Sequence, residues 1–242
     1  MANKTDSTRA INDYLNYAAI EKGLSKNTIS AYRRDLEKFT LYLVRINQGL
    51  ENVDHQLMNG FLGWLRGSGG EKPSSESSNA RVIVTVRNLF KFISINNRTP
   101  NPLQEYAPPK IPKRLPKALK LEEIVMLLEA SKLGDQGLAI RDNALIEILY
   151  ATGARISEIV ELEVSDISEI SENLTIKLVG KGNKERVVPI GNYARSSLDK
   201  YLVSSRPQLL KNKKINKVFL NSRGNRLSRQ SAWEIVATCA KR

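Results

Sequence analysis

An arginine follows a glycine break in one segment of the chain, Ala151-Thr152-Gly153-Ala154-Arg155-Ile156-Ser157-Glu158. One helical pattern ends at the glycine, and another begins directly after the arginine. Backbone N–H groups at such a helix start, together with the guanidinium of Arg155, suit two oxygens of one phosphate. The alternative is a structural ion pair between Arg155 and either Glu158 or Asp142.

The sequence after this segment changes from helical to alternating periodicity. Between residues 174 and 190, apolar residues alternate with polar ones on both sides of the basic turn Lys181-Gly182-Asn183-Lys184. This pattern predicts a β-hairpin with a basic tip. Lys181 at this tip can enter a nucleic-acid groove, and it could protonate a leaving oxygen if nearby cations lowered its pKa. The alternative is a solvated turn lysine; a P-loop is excluded because strands, not a helix, flank the turn.

The whole chain is basic and has the composition of a globular protein. Its 242 residues hold 38 Lys and Arg against 25 Asp and Glu, a net charge of +13, and 41% are hydrophobic. Such a charge predicts an acidic partner, with nucleic acid first. No apolar run is long enough for a membrane span, and the polar start lacks a signal-peptide core, so we expect a cytoplasmic protein.

Metal and disulfide sites are not predicted. The sequence has one histidine, His55, and one cysteine, Cys239. A structural zinc site needs about four ligands, and an internal disulfide needs two cysteines. We therefore expect neither a Cys/His metal site nor an internal disulfide.

A basic, proline-rich stretch at residues 108–118 divides the chain. It holds four prolines and four cations without an acid, a composition that favours an extended linker. It is interpreted as a spacer that also crosses a phosphate backbone. Residues 1–107 show helical periodicity around 11–19, 29–46, 57–65 and 82–93, which predicts a four-helix domain. Residues 119–242 are predicted to form a second domain, mainly helical with a small β-hairpin sheet.

The arginine and lysine segments together resemble the tyrosine recombinase family, also called phage integrases, and within it the chromosomal Xer recombinases. Residues 22–36, 115–119 and 224–233 agree with the same family. The resemblance spans nearly the whole chain, with its segments in the family's order.

This resemblance implies a fold and a reaction. The fold is a mainly α, two-domain, C-shaped DNA clamp with a SAM-like core-binding domain and an α+β catalytic domain. The reaction is DNA strand transfer through a 3′-phosphotyrosyl bond, without metal or nucleotide cofactor. The resemblance assigns Arg155 to the non-bridging phosphate oxygens and Lys181 to protonation of the departing 5′-oxygen.

The chain departs from the family in the second half of the active site. The family's His-x-x-Arg box, further His or Trp, and tyrosine nucleophile have no counterpart here. The histidine His55 lies in the first domain, and no tyrosine follows Tyr201, which we expect to be structural. We therefore expect a carboxy-terminally truncated recombinase that binds DNA weakly and does not cleave it.

Residues expected to contact DNA lie on the second, fourth and last predicted helices and at the hairpin. Arg229 and Gln230 open the last predicted helix, a position from which Arg reads guanine and Gln reads adenine. For each residue the alternative is a solvated side chain. The full set is Asn27, Thr28, Arg33, Arg34, Arg81, Arg87, Lys184, Arg186, Ser228, Arg229 and Gln230.

The biological role that the resemblance implies is resolution of chromosome dimers before cell division. Its partners would be a double-stranded recombination site, a second Xer recombinase in a heterotetramer, and a DNA translocase. The alternatives are another Xer type, a mobile-element integrase, and a non-catalytic protein that occupies the same DNA sites. Arg155 and Lys181 favour an enzyme over that competitor, because a binder needs neither.

Overall fold

The computed structural model describes residues 2–68, 73–111, 115, 117–170, 173–180 and 182–242. It divides into two compact units, Met1–Leu115 and Pro116–Arg242. The division falls inside the stretch interpreted as a linker, whose residues 112–114 and 116 lie outside the described part. The domain limits 1–107 and 119–242 stay predictions. Within the described residues, no helix combines the length and apolar character needed to cross a membrane.

The amino-terminal unit contains the four predicted helices. They are α1 (Ala2–Ile20), α2 (Lys26–Arg45), α3 (His55–Gly63) and α4 (Glu76–Asn97). The side chains of Ser25 and Ser75 accept hydrogen bonds from the backbone N–H groups of Thr28 and Ser78, which fixes the first turns of α2 and α4. A π-helical turn, Trp64–Ser68, follows α3.

Aromatic rings from three of these helices form the centre of this unit. Phe39 of α2 lies 5.0 Å from Phe61 of α3 and 6.4 Å from Phe90 of α4, measured between ring centroids, in edge-to-face arrangements. All three rings are buried. Because such pairs add to the burial of apolar surface, they fix α2 against both neighbours.

The carboxy-terminal unit is mainly helical around a small sheet. Its elements are α5 (Leu121–Ser131), α6 (Gln136–Thr152), α7 (Ile156–Glu161), β1 (Ile167–Ile170), β2 (Asn173–Val179), β3 (Glu185–Pro189), α8 (Asn192–Lys200), α9 (Arg206–Leu210) and α10 (Arg229–Cys239). The strands lie in the order β1-β2-β3 and are antiparallel. Ile176 of β2 is paired with Ile167 of β1 and with Val188 of β3. The predicted hairpin is therefore confirmed, and β1 adds a strand that the sequence pattern did not predict.

Tyr201 lies at the centre of the second core. Its ring stacks on Phe219 with 5.4 Å between centroids. Its hydroxyl donates to the carbonyl of Val218 at 3.0 Å and accepts from the N–H of Leu220 at 3.1 Å. Burial raises the pKa of Tyr201 to about 12. The expectation that Tyr201 is structural is confirmed, because its hydroxyl is buried and hydrogen-bonded to two backbone groups.

The last helix, α10, packs against this core. Ala232 is fully buried and Ile235 packs against the core cluster. Cys239 near its end is also buried, and burial raises the pKa of its thiol. The inner face of α10 is thus held by apolar contacts, while its first residues, Arg229 and Gln230, are exposed.

Candidate active site and nucleic-acid interface

Arg155 is placed by the break between α6 and α7. Helix α6 ends at Gly153, whose φ of +58° is a left-handed conformation that glycine adopts without strain. Two residues later, Arg155 precedes the first turn of α7. Its side chain is 71% exposed. The break therefore leaves the guanidinium at the surface at the start of α7.

The guanidinium of Arg155 is held on one side by Glu158. Nη1 donates to Oε1 of Glu158 at 3.0 Å, and the backbone N–H of Arg155 donates to Oε2, also at 3.0 Å. Asp142, the other partner considered from the sequence, instead accepts from Arg141 at 2.6 Å. Among the residues described, Nε and Nη2 of Arg155 make no hydrogen bond. This edge of the guanidinium is open to an anion, whereas the backbone N–H of Arg155 is already bonded to Glu158.

Glu158 also binds the hairpin. Its side chain is 3% exposed, and its oxygens accept from Nη1 and Nη2 of Arg186 on β3 at 3.2 and 2.6 Å. The hydrogen bonds from Arg186 are the main cause that lowers the pKa of Glu158 to about 2, against the opposing effect of burial. One buried carboxylate thus joins α7 to β3. The sequence analysis considered Glu158 only as a partner of Arg155, since no local pattern links it to Arg186.

The turn between β2 and β3 begins beside this carboxylate. The N–H of Gly180 donates to the carbonyl of Lys184 at 2.8 Å, and an added Cβ on Gly180 would lie 3.1 Å from Oε1 of Glu158. Lys181 lies outside the described residues. Lys184 is exposed. The predicted catalytic lysine therefore follows directly after a residue packed against the carboxylate that holds Arg155.

Residues predicted to bind phosphate and to read bases share one groove. It has a volume of about 1010 Å³ and is lined by Arg155, Ile156, Ser157, Arg229, Gln230 and Trp233. The hydroxyl of Ser228 accepts a hydrogen bond from the N–H of Ser231 at 3.0 Å, which caps the start of α10. The amide of Gln230 donates to Glu234 at 3.0 Å. Trp233, 57% exposed, is a lining residue to which the sequence analysis gave no role.

The predicted contacts of the amino-terminal unit lie on α2 and α4. Asn27, Arg33 and Arg34 are exposed, and the hydroxyl of Thr28 lies 2.9 Å from that of Ser25. Arg81 extends from α4 and donates to the carboxylate of Asp35 on α2.

Arg87, further along α4, is turned toward the protein. Its Nη2 donates to the carbonyl of Gln104 at 3.3 Å. Its Nε is buried without a partner among the described residues. This geometry favours a structural role, and DNA contact by Arg87 stays a prediction. In the described part of the chain, no group of three or more His, Cys, Asp or Glu side chains is arranged to hold a metal ion.

Two family models match the chain, one in each unit. The model described as "Phage integrase family" matches residues 117–242, and the model described as "Phage integrase, N-terminal SAM-like domain" matches residues 11–95. The chain belongs to the phage integrase family. The resemblance stated from the arginine and lysine segments is confirmed, and members of this family of tyrosine recombinases transfer DNA strands.

Curated relatives of this phage integrase carry the name tyrosine recombinase XerD. The protein from Staphylococcus epidermidis is 40% identical over 229 residues, which cover 93% of this chain and 75% of that protein. The protein from Mycobacterium tuberculosis is 37% identical over 240 residues, which cover 95% of this chain and 76% of that protein. This integrase is therefore a XerD-like tyrosine recombinase, a class of site-specific recombinases.

Solved structures share the fold of this integrase. The site-specific recombinase XerH bound to a palindromic difH substrate has a TM-score of 0.68 at 23% identity, covering 98% of this chain and 68% of that chain. A lambda integrase tetramer bound to a Holliday junction has a TM-score of 0.71 at 16% identity, covering 97% and 62%. The mainly α fold class with a small sheet, expected from the sequence, is confirmed.

Proposed function

We propose that Arg155 and Lys181 form one half of a DNA strand-transfer site and that Arg229 and Gln230 read the DNA beside it. The observation that supports this proposal is the shared groove, which brings Arg155 together with Arg229 and Gln230. Site-specific strand transfer requires a side chain that binds the scissile phosphate and side chains that read the neighbouring bases, all on one surface. The family membership of residues 117–242 supports the same assignment.

In this proposal Arg155 stabilises the charge that develops on the phosphate. Its Nε and Nη2 bind the non-bridging oxygens of the scissile phosphodiester. When a tyrosine oxygen bonds to phosphorus, negative charge grows on those oxygens, and a fixed guanidinium stabilises it more than it stabilises the ground state. Lys181 then gives its proton to the 5′-oxygen as the P–O bond breaks. A 5′-hydroxyl from another duplex reverses the step and exchanges the strands.

The chain of 242 residues is proposed to bind DNA without cleaving it. The Tyr201 hydroxyl is buried and hydrogen-bonded to Val218 and Leu220, so it is not free to act as a nucleophile. The test is incubation with a nicked suicide duplex followed by a denaturing gel. We expect no protein–DNA adduct, and a covalent band would show that a tyrosine of this chain acts as nucleophile.

DNA binding itself is tested by fluorescence anisotropy over a salt series. We expect weak binding that falls steeply as the salt concentration rises, because Lys and Arg displace counterions from the phosphates. Arg229→Ala should reduce discrimination between sequences by about 1 to 3 kcal/mol, while Lys241→Ala serves as a matched cation control on the same unit. If a mixed-sequence duplex and a selected site bind equally in every variant, the base-reading assignment is wrong.

A non-catalytic competitor at recombination sites is the second candidate, because the exposed side chains of Arg229 and Gln230 would serve such a protein equally. Replacing Arg155 and Lys181 with alanine separates the two. In a recombinase these residues act in chemistry, so the double variant keeps most of its DNA affinity. If the double variant instead loses affinity as strongly as Arg229→Ala, the competitor is favoured.

The biological role proposed is resolution of chromosome dimers at cell division. It rests on the XerD-like sequence and includes a cytoplasmic location, a second Xer recombinase as partner in a heterotetramer, and a DNA translocase. A XerC-like enzyme and a mobile-element integrase are the alternatives. Capture of genomic fragments by the purified chain is the test. Enrichment of a single chromosomal site supports the Xer role, and enrichment of the ends of a mobile genetic element favours a mobile-element integrase.

A further inference from the structure

We infer that Asp35 is a positioning residue for DNA binding: it holds the guanidinium of Arg81 so that one edge of that group meets a backbone phosphate. This inference rests on the proposed DNA-binding function. It concerns the amino-terminal unit by itself, and it assigns a role to a carboxylate that repels DNA when considered alone.

Asp35 is a buried acid between two helices. It lies on α2, its side chain is 2% exposed, and its Oδ2 accepts hydrogen bonds from Arg81 and from the hydroxyl of Thr85, the latter at 3.0 Å. Both donors lie on α4, one turn apart. Burial raises the pKa of Asp35, and the charge of Arg81 lowers it. Because an unpaired buried carboxylate is costly, Asp35 has a strong preference for keeping Arg81 in place.

The guanidinium of Arg81 is held by Asp35 through one nitrogen, and its other nitrogens remain available to a ligand. Asp35 accepts from Nη1. Within the part of the chain that the structure describes, Nε and Nη2 make no hydrogen bond, and the side chain is 46% exposed. The edge formed by Nε and Nη2 can donate two parallel hydrogen bonds to a phosphate. A guanidinium already held in one rotamer loses less conformational entropy when it binds.

The position of the pair agrees with the predicted contacts on α2. Thr28 lies seven residues before Asp35, which places both on the same face of the helix, two turns apart. Asn27 is exposed in the same first turn. Arg81 therefore reaches α2 on the face that carries Thr28, one of the predicted DNA contacts.

A purely structural ion pair between α2 and α4 is the competing explanation, and the two differ in the sign of one effect. Asp35→Asn removes a negative charge. Simple electrostatics then predicts tighter DNA binding, because repulsion is lost. If Asp35 positions Arg81, the same change weakens binding and removes about one phosphate contact.

The experiment measures binding of the 242-residue chain to a mixed-sequence duplex of about 30 base pairs across a salt series. Asp35→Asn should bind about fivefold to tenfold more weakly near 0.1 M salt, with a salt slope lower by about one. Glu37→Gln is the matched control, since this exposed acid lies on the same helix and its loss changes the net charge equally. It should leave affinity unchanged or raise it.

Two further variants test whether Asp35 acts through Arg81. Arg81→Gln should weaken binding to a similar extent, and adding Asp35→Asn to it should cause no further loss, because residues acting as one unit are not additive. Thermal unfolding of each variant shows whether it is folded at the assay temperature. If Asp35→Asn does not fold, Thr85→Val, which removes the other donor to Oδ2, should cause a smaller loss in the same direction.

The outcomes separate the two proposals. If the unchanged chain fails to bind the duplex, the proposed function is wrong. If it binds and Asp35→Asn, or Thr85→Val in its place, behaves like Glu37→Gln, the positioning role is overturned while DNA binding stands.

Discussion

Glu158 shows how much of the candidate site depends on one side chain. Its carboxylate accepts hydrogen bonds from Arg155, which precedes α7, and from Arg186 on β3, and it is almost fully buried. Glu158→Gln replaces a charged acceptor with a neutral amide, and we expect the free energy of unfolding of the carboxy-terminal unit to fall by about 1 to 3 kcal/mol. Urea unfolding measures this. Glu161→Gln is the control: its exposed ion pair with Arg226 should contribute less than about 1 kcal/mol.

The same residue predicts how stability changes with acid. Folding lowers the pKa of Glu158 from 4.5 to about 2. The stabilisation it provides is therefore complete above about pH 4.5 and is lost as the pH falls toward about 2, since the unfolded chain takes up the proton first. The difference in unfolding free energy between the unchanged chain and Glu158→Gln should shrink from about pH 5 to about pH 3. A constant difference would contradict this assignment.

Tyr201→Phe tests the structural role of the buried phenol. The change leaves the Val218 carbonyl and the Leu220 N–H without their partner, which should cost about 1 to 3 kcal/mol in the free energy of unfolding. Tyr193→Phe is a matched control, because Tyr193 is 85% exposed. Thermal unfolding that is equal for the two variants would show that the hydroxyl of Tyr201 makes no net contribution.

At the scale of elements, the β2–β3 hairpin is tied to α7 through Gly180. An added Cβ would lie 3.1 Å from Oε1 of Glu158, and four hydrogen bonds from Arg155 and Arg186 restrain that carboxylate. Gly180→Ala should therefore lower stability by about 1 kcal/mol, measured by thermal unfolding. Gly191→Ala is the control, since a Cβ there meets no atom within 4 Å. Equal melting of the two variants would show that the hairpin tolerates displacement of Glu158.

The sequence predicted those elements whose signals are local. Apolar periodicity around residues 29–46 indicated a helix, and the structure has α2 there at Lys26–Arg45, with Ser25 as its N-cap. Strand β1 was missed because four residues, Ile167–Ile170, are too short to show alternation. Its pairing with β2 is a tertiary effect that propensity does not encode.

The candidate site was predictable to a similar degree. Arg155, Arg229 and Gln230 lie at helix starts, which the sequence marks, and the structure places them in one groove. The bonds from Arg186 to Glu158 and from Arg81 to Asp35 join residues 28 and 46 positions apart. Such pairs depend on packing between elements that are far apart in the chain, and local sequence patterns do not reveal them.

At the scale of the whole molecule, the two units have separate cores. Phe39 is buried in one and Phe219 in the other. Because each cluster of buried residues lies within one unit, we expect two unfolding transitions. Phe39→Ala should lower one of them and Phe219→Ala the other, each by about 3 to 5 kcal/mol in unfolding free energy. Calorimetry measures this, and a single transition that both variants lower equally would contradict independent unfolding.

The buried thiol of Cys239 makes α10 a helix whose opening can be timed. It is the one cysteine in the sequence, and it is buried with a raised pKa, so a thiol reagent reacts only after the helix has moved away from its core. The rate at which a reagent alkylates Cys239 then reports the opening of this one helix. A fast reagent measures the opening rate, and a slow reagent measures the opening equilibrium. Arg229 and Gln230 begin that helix. If they bind DNA, alkylation of Cys239 at its other end should slow, and the degree of protection would report how firmly DNA holds α10.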